Sequence, residues 1–386
     1  KWTVTEMIYF DNSATTLPLK EVVDSFMTVS TKYFGNPSSL HGLGATAEQL
    51  LNQARKQVAD LLQVQEQEIL FTSGGTEGNN LAIKGTALAF KSRGKHIVIS
   101  ALEHASVKET CEQLKTLGFD ITEVPVDSSG RVSVEEVMKA IRQDTILVSI
   151  MQVNNEVGSI QPIEEIGLAL KDKNKILFHV DYVQGVGKVP LSLKGSKIDL
   201  CTISGHKFHG MKGTGVLYIR AGIKISPLFS GGSQERKMRS GTENVAGAVS
   251  LAKALRISLE SMNTKMQQLL NVHSFLREEL EKIDDVIIHT PSDNYAPHIL
   301  NFSVPWVKSE VLVHALEEKE IYVSTTSACS SKNKAMSETI LMMTNNQNLA
   351  ETSIRISLSY ENNLQEAKQF IKVLKEVLQN LQEVMR

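Results

Sequence analysis

Six short apolar runs, spaced by segments of helical length, limit what this chain can become. They are EILFT (68–72), HIVIS (96–100), TILVSIM (145–151), KILFHV (175–180), IDLCTI (198–203) and GVLYI (215–219). Each is nearly continuous in apolar residues, so both faces of each strand need cover. The stretches Asn79–Arg93, Ser106–Leu117 and Pro162–Asn174 are long enough to supply it as helices. The expectation is an α/β fold with a mostly parallel sheet covered on both faces. After Gly247 the texture changes. A long helical pattern over Ser250–Ile283 recurs on Leu251, Leu255, Leu259, Met262, Met266, Leu270 and Leu276. Strand-like VIIHT (286–290), HILNFSV (298–304), IYVS (321–324) and SIRISLS (353–359) come next, with helices near Glu310–Glu320 and Leu364–Met385. The texture puts a domain boundary somewhere in 245–262 and leaves the N-terminal segment to about residue 20 able to pack with either domain. The expected division is a large domain over 16–250 and a smaller C-terminal α/β domain of 1–15 plus 251–386.

Composition removes several function classes. A formal net charge of −2 over 386 residues gives no electrostatic case for a nucleic-acid or membrane surface. No stretch approaches the roughly 18 apolar residues of a membrane span. The opening KWTVTEMIYF has no apolar signal core, so a cytoplasmic setting is expected, with Met7 the candidate natural start. Cys111, Cys201 and Cys329 are too few and too scattered for a disulfide framework or a four-ligand zinc site. No metal site is expected, and any cysteine that matters acts alone.

In an open parallel sheet, ligands bind beyond the carboxyl ends of the strands. Polar or titratable residues stand just past strand after strand here: Ser73-Gly-Gly-Thr-Glu-Gly-Asn79, then Glu103-His104, then Asn154-Asn155-Glu156, then Asp181 and Gln184, then Ser204, His206 and Lys207. SGGTEG at a helix start suits a phosphate, because free N–H groups and the helix dipole face the anion. Alone it is also an ordinary strand-to-helix turn. The dinucleotide fingerprint is absent, since GVGKVP (185–190) lacks its third glycine. Gly205 and Gly210 have phosphate-loop spacing but are followed by Met211-Lys212-Gly213, so Lys207 is no phosphate-loop lysine. Most lysines are simply solvated. Lys207 instead sits at a strand end between His206 and His209, in a site that also holds Asp181. A phosphate cradle, an aspartate and a lysine from successive strands suit pyridoxal 5′-phosphate: the lysine forms the Schiff base and the aspartate keeps the ring nitrogen protonated.

These residues also carry a resemblance. The chain resembles the NifS/IscS-type cysteine desulfurases of the class-V aminotransferase group, with the pyridoxal-phosphate transferase fold of type I. The matching strings are YFDNSATT (9–16), GNPSSLHGLG (35–44), FTSGGTEGNN (71–80), EHAS (103–106), VNNEVGSIQPI (153–163), HVDYVQGVGKV (179–189), SGHKFHG (204–210), SGGSQERKMRSGTENVAG (230–247) and SACSS (327–331). The resemblance implies a large cofactor-binding domain with a seven-stranded type of sheet, and a small domain carrying the cysteine. It implies that Lys207 holds the cofactor and that His104 stacks on its ring and moves protons. Asp181 would pair with the ring nitrogen, while Asn155 and Gln184 meet the ring hydroxyl. Gly75, Thr76, Ser204 and His206 would hold the phosphate, and Thr242 would reach the site of the neighbouring subunit in a homodimer. Arg355, helped by Asn36, would clamp the substrate carboxylate, for which a planar guanidinium is suited.

Cys329 decides the reaction class. It lies in the polar, small-residue stretch Ser324–Lys334, whereas Cys111 in a helical pattern and Cys201 in a strand read as buried core thiols. The implied activity is removal of sulfur from L-cysteine, giving L-alanine and a Cys329 persulfide. The sulfur would pass to an iron–sulfur scaffold or to an enzyme of tRNA or cofactor thiolation. The alternatives are a selenocysteine lyase or other β-elimination on the same scaffold, and a non-catalytic sulfur-relay protein. Thr326, Met211, the segment KNKAMSETILMM and SYENN (359–363) depart from the usual family strings. They leave the cofactor set intact and touch the loop and the acceptor surface.

Overall fold

The computed structural model describes residues 7–325 and 336–385. In chain order the strands are β1 (Ile8–Tyr9), β2 (Ile69–Thr72), β3 (His96–Ser100), β4 (Asp120–Val124), β5 (Thr145–Met151), β6 (Leu177–Asp181), β7 (Leu200–Ser204), β8 (Gly215–Ile219), β9 (Ile287–Ile288), β10 (Ile299–Ser303), β11 (Ile321–Tyr322), β12 (Ser324–Thr325) and β13 (Ser353–Ser357). The helices are α1 (Lys20–Lys32), α2 (Gly42–Leu62), α3 (Gly75–Phe90), α4 (Ala105–Thr116), α5 (Val134–Ala140), α6 (Ile163–Ala169), α7 (Val245–Leu280), α8 (Ser309–Glu317), α9 (Glu338–Thr344), α10 (Gln347–Glu351) and α11 (Leu364–Met385).

Strands β2–β8 form one seven-stranded sheet in the order β2-β8-β7-β6-β5-β3-β4. Only β8 runs antiparallel to its neighbours, so the sheet is mostly parallel, as the apolar runs require. Neighbouring residues of one strand enter different cores. Ile69, Val98, Val148, Phe178 and Cys201 pack on one face with α2 and the start of α7. Leu70, Ile97, Leu147, Leu177 and Leu200 pack on the other with α3 and α4. That period-2 division explains why each strand reads as an unbroken hydrophobic run. Cys111 and Cys201 are both buried in these cores, and burial pushes the Cys111 thiol up to about 12.

A four-stranded antiparallel sheet, β12-β13-β10-β9, lies in the C-terminal part, and β1 pairs in parallel with β11. The N-terminus therefore packs with the C-terminal region: Ile8 and Phe10 share a core with Phe302, Ile354 and Phe370. Helix α7 belongs to both regions. Its residues Leu251 and Leu255 lie in the large core, and Leu269, Val272 and Leu276 in the C-terminal one. Its N-cap Asn244 accepts the Gly247 N–H at 2.8 Å, and the helix then runs unbroken across residue 250. The helix expected over Pro162–Asn174 is shorter, ending at Ala169, and the strand expected over 286–290 is only Ile287–Ile288. Among the described residues no helix is long and apolar enough to cross a membrane.

Candidate active site

Four parallel strands end on the same edge of the large sheet, and the residues just past them line one cavity of about 260 Å³. Asp181 closes β6 and Ser204 closes β7, while His104 caps α4 after β3 and Asn155 comes after β5. Gly75, Thr76, Gln184, His206, Lys207 and Arg355 join them in the wall. Ten of the residues singled out in the sequence thus meet in one place. Thr242 lines a different cavity with Ser73 and Gly213–Gly215. Asn36 lies exposed on the loop before α2, its Oδ1 accepting the Ser38 N–H at 2.9 Å, and is not part of the wall. Cys329 lies outside the described residues.

One end of the cavity is shaped for an anion. Gly74 has φ +146°, a conformation that disfavours any side chain, and it turns β2 into the start of α3. A Cβ on Gly75 would stand 3.0 Å from Val183 Cγ2, so the backbone comes close to the neighbouring loop. The first-turn N–H groups of a 16-residue helix point at this spot, beside Thr76, Ser204 and His206. His206 Nδ1 lies 3.1 Å from Thr15 Oγ1, and burial first, then Lys207, push its pKa down to about 4.

The other end is shaped for a base. Asp181 is buried, with Oδ1 accepting the Val183 N–H at 2.9 Å and Oδ2 accepting from Asn79 Nδ2 at 2.8 Å. Asn79 Nδ2 also donates to Ser106 Oγ at 2.9 Å, which lies 2.8 Å from His104 Nδ1. The Ser106 N–H donates to that same Nδ1 at 3.1 Å, so a neutral His104 carries its proton on Nε2. Burial lowers the His104 pKa, Asp181 opposes that and Lys207 adds to it. Behind this end, buried Glu103 ties β3 to β5: its Oε1 accepts from Ser100 Oγ at 2.6 Å and from the Met151 N–H at 2.8 Å. Burial pushes the Glu103 carboxyl up to about 8.

Lys207 ends a short 3-10 turn, Gly205–Lys207, directly after β7. The N-terminal segment wraps that turn. The Thr16 N–H and Oγ1 both donate to the His206 carbonyl at 2.9 Å, and the His209 N–H donates to Thr16 Oγ1 at 2.7 Å. Lys207 Nζ donates to the carbonyls of Ser13 (2.5 Å) and Ala14 (2.8 Å), and Gln184 Nε2 donates to Ser13 as well, at 3.0 Å. Across the cavity, buried Arg355 on β13 donates from Nη2 to Asp11 Oδ1 and from Nη1 to the Asn155 carbonyl, each at 2.9 Å. Its Nε is buried without a partner among the described residues. Burial raises the Asp11 pKa and the Arg355 guanidinium opposes the rise.

Sequence reasoning missed Asp11, Asn79 and Ser106. All three lie inside the strings FDNSATT, SGGTEGNN and EHAS; Asn79 and Ser106 are not titratable, and Asp11 follows the two-residue β1, which the sequence does not mark as a strand. In the sequence Asn79 reads only as the end of a phosphate turn; one helical turn beyond Gly75 it faces Asp181 instead.

Known proteins resemble this chain along nearly its whole length. Residues 8–370 match the class-V aminotransferase family. A NifS/IcsS protein homolog of Lactobacillus delbrueckii subsp. bulgaricus is 46% identical over 380 residues, 98% of this chain and 99% of that protein. Cysteine desulfurase IscS of Methanosarcina thermophila is 44% identical over 379 residues, 98% of this chain and 94% of its own. A solved NifS-like protein superposes with a TM-score of 0.91 at 39% identity, covering 97% of this chain and 99% of the other. With a family match over residues 8–370 and relatives this similar along nearly the whole chain, the chain belongs to the class-V aminotransferase family.

Proposed function

We propose that this protein is a cysteine desulfurase that holds pyridoxal phosphate on Lys207, takes sulfur from L-cysteine with release of L-alanine, and keeps it as a persulfide on Cys329. The observation that carries the reading is the cavity whose wall Lys207 shares with a phosphate-type helix start, the buried carboxylate of Asp181 and Arg355. The residues present fit the cofactor. Gly75, Thr76, Ser204 and His206 would hold its phosphate, Asp181 its ring nitrogen, Asn155 and Gln184 its ring hydroxyl, and His104 one ring face. When bound, pyridoxal phosphate supplies an electron sink for the substrate's Cα.

The chain's own residues do the rest. Arg355 takes the substrate carboxylate. Its side chain is already fixed by Asp11 and Asn155, so little rotamer freedom is lost on binding, and its unpartnered Nε supplies a further donor. The Lys207 amine would be the base for the Cα proton. His104 offers Nε2–H as a neutral acid, because burial disfavours its charged form. The Cys329 thiolate then attacks the substrate sulfur. The new S–S bond forms as the C–S bond breaks, the bonding pair goes to the carbon side, and protonation there gives alanine.

The same reading assigns 16–250 to a large cofactor domain and 1–15 with 251–386 to a small one carrying Cys329. It places the enzyme in the cytoplasm as a homodimer in which Thr242 serves the neighbouring site. In support, Thr242 faces a separate cavity, and Phe34, Leu40, Leu43 and Phe229 are exposed apolar groups that a second copy would cover. An iron–sulfur scaffold or a tRNA- or cofactor-thiolating enzyme would receive the sulfur.

The test is incubation with L-cysteine and assay of alanine and bound persulfide. Cys329→Ala is expected to keep the cofactor's visible colour and lose the persulfide, whereas Lys207→Ala is expected to lose the colour. Full desulfuration by Cys329→Ala overturns the thiol's role.

A further inference from the structure

We infer that Lys188 is a positioning residue for Lys207: its buried ammonium holds the Lys207 main chain in place and, through its charge, weakens the hold of the Lys207 nitrogen on its proton. The inference rests on the reading of Lys207 as the cofactor lysine. It concerns GVGKVP (185–190), a string with no part in phosphate binding.

The turn is built to send Lys188 inward. Gly187 has φ +67°, and a Cβ there would stand 1.9 Å from Ser258 Oγ on α7, so the chain passes tightly against that helix. Three side chains fix the surrounding carbonyls: Tyr360 Oη donates to Gly187 at 2.7 Å, Tyr182 Oη to Val189 at 2.9 Å, and Gln152 Nε2 to Pro190 at 3.1 Å. Tyr360 comes from SYENN, one of the strings that depart from the family pattern.

Lys188 is 5% exposed, and its Nζ donates to the Lys207 carbonyl at 2.9 Å, the ammonium's one hydrogen bond among the described residues. No carboxylate there forms an ion pair with it. The titratable groups around it are Lys207 and His209 of the turn after β7, and His298 just before β10. Burial lowers the pKa of both histidines and Lys188 adds to the lowering, so neither brings a compensating negative charge. Burial first, then Lys207, push Lys188 itself down to about 8.

A buried amine without a counter-ion is unfavourable where a methionine of like length would pack as well. What a methionine cannot supply is a donor to the Lys207 carbonyl and a positive charge beneath the turn. Two neighbouring cations disfavour each other's protonated form. Lys207 benefits, because it must lose a proton both to capture the cofactor and to act as a base.

The full chain loaded with pyridoxal phosphate is titrated with pH while its visible absorption is followed, as wild type, Lys188→Met and Lys188→Gln. Both variants lose the charge, and the midpoint is expected to rise by about one pH unit, a tenfold gain in proton affinity. Lys188→Gln keeps a donor for the Lys207 carbonyl, so it is expected to capture added cofactor faster than Lys188→Met. Midpoints within about 0.2 unit of wild type in both variants overturn the inference alone. If Lys188→Met does not fold, the Lys188→Gln midpoint decides. A wild-type protein with no visible band overturns the reading of Lys207, and this inference with it.

Discussion

The two sides of the cavity are made in different ways. The Lys207–Asp181 side is assembled from consecutive strand ends of one sheet, each polar residue standing just past an apolar run. The Arg355 side is assembled from three distant pieces: β13, Asp11 after β1, and the Asn155 carbonyl after β5. Local chain geometry fixes the first side. The second exists only once β1 has paired with β11 and Asp11 has bridged to Ser357, so it depends on how the N-terminus docks.

Short of removing Lys207 or Cys329, the largest expected effect on turnover comes from breaking the assembled side at its centre. Arg355→Lys keeps the charge but loses the planar two-pronged donor and the fixed bonds to Asp11 and Asn155. Hydrogen bonds to charged groups contribute about 1.5–3 kcal/mol, so kcat/KM for L-cysteine is expected to fall roughly 10- to 100-fold. Visible absorption by the bound cofactor should stay close to wild type, because every strand-end side chain is kept and only the Asn155 carbonyl loses a donor. Loss of the colour together with activity would show that the two sides are not separable.

A milder effect sharpens the same division. Asp11→Asn keeps an acceptor for Arg355 Nη2 but removes its negative charge. A charge-assisted bond is about twice as strong as a neutral one, so KM is expected to rise about fivefold with kcat little changed. Steady-state kinetics over a range of L-cysteine concentrations distinguish the outcomes: a fall in kcat at constant KM places Asp11 with the proton-transfer groups instead.

The same contrast governs what can be read without coordinates. The sheet is legible because a buried parallel strand is apolar on both faces, and the strand-end residues are found once the strands are. Strand β4 is not legible, because Asp120–Val124 lies at the sheet edge beside β3 alone, with only Val124 buried, and DITEV carries no unbroken apolar run. Lys207 and Asp181 can be found from sequence physics. Arg355 cannot: SIRISLS reads as an ordinary strand, and only the family resemblance singles out its arginine. Asp11 and the Ser13 and Ala14 carbonyls stay hidden because their roles come from long-range docking, and a main-chain carbonyl leaves no mark in a sequence. Asn36, which the resemblance also singles out, lies exposed on its loop.

The smallest expected effect on turnover, and the sharpest probe of the strand-end side as a scaffold, is Glu103→Gln. Glu103 ties the ends of β3 and β5 through Oε1, which a glutamine oxygen can reproduce. Burial raises its folded pKa to about 8, well above the ordinary carboxyl value of 4.5. The folded state therefore binds the Glu103 proton more tightly than the unfolded state. That contribution is complete below about pH 4.5 and is lost as pH rises towards 8. The buried histidines act with the opposite sign. His206, His273 and His289, each pushed down to about 4 by burial, cost stability as pH falls from about 6.5 to 4. A comparison made only above pH 6.5 avoids most of their titration. Denaturant midpoints at pH 6.5 and pH 8 are thus expected to fall more in wild type than in Glu103→Gln, by about 1–2 kcal/mol in unfolding free energy. Equal pH slopes would mean that the carboxyl is already ionised at pH 6.5. The tie between β3 and β5 would then hold a buried charge, and the substitution should weaken the fold instead of flattening its pH response.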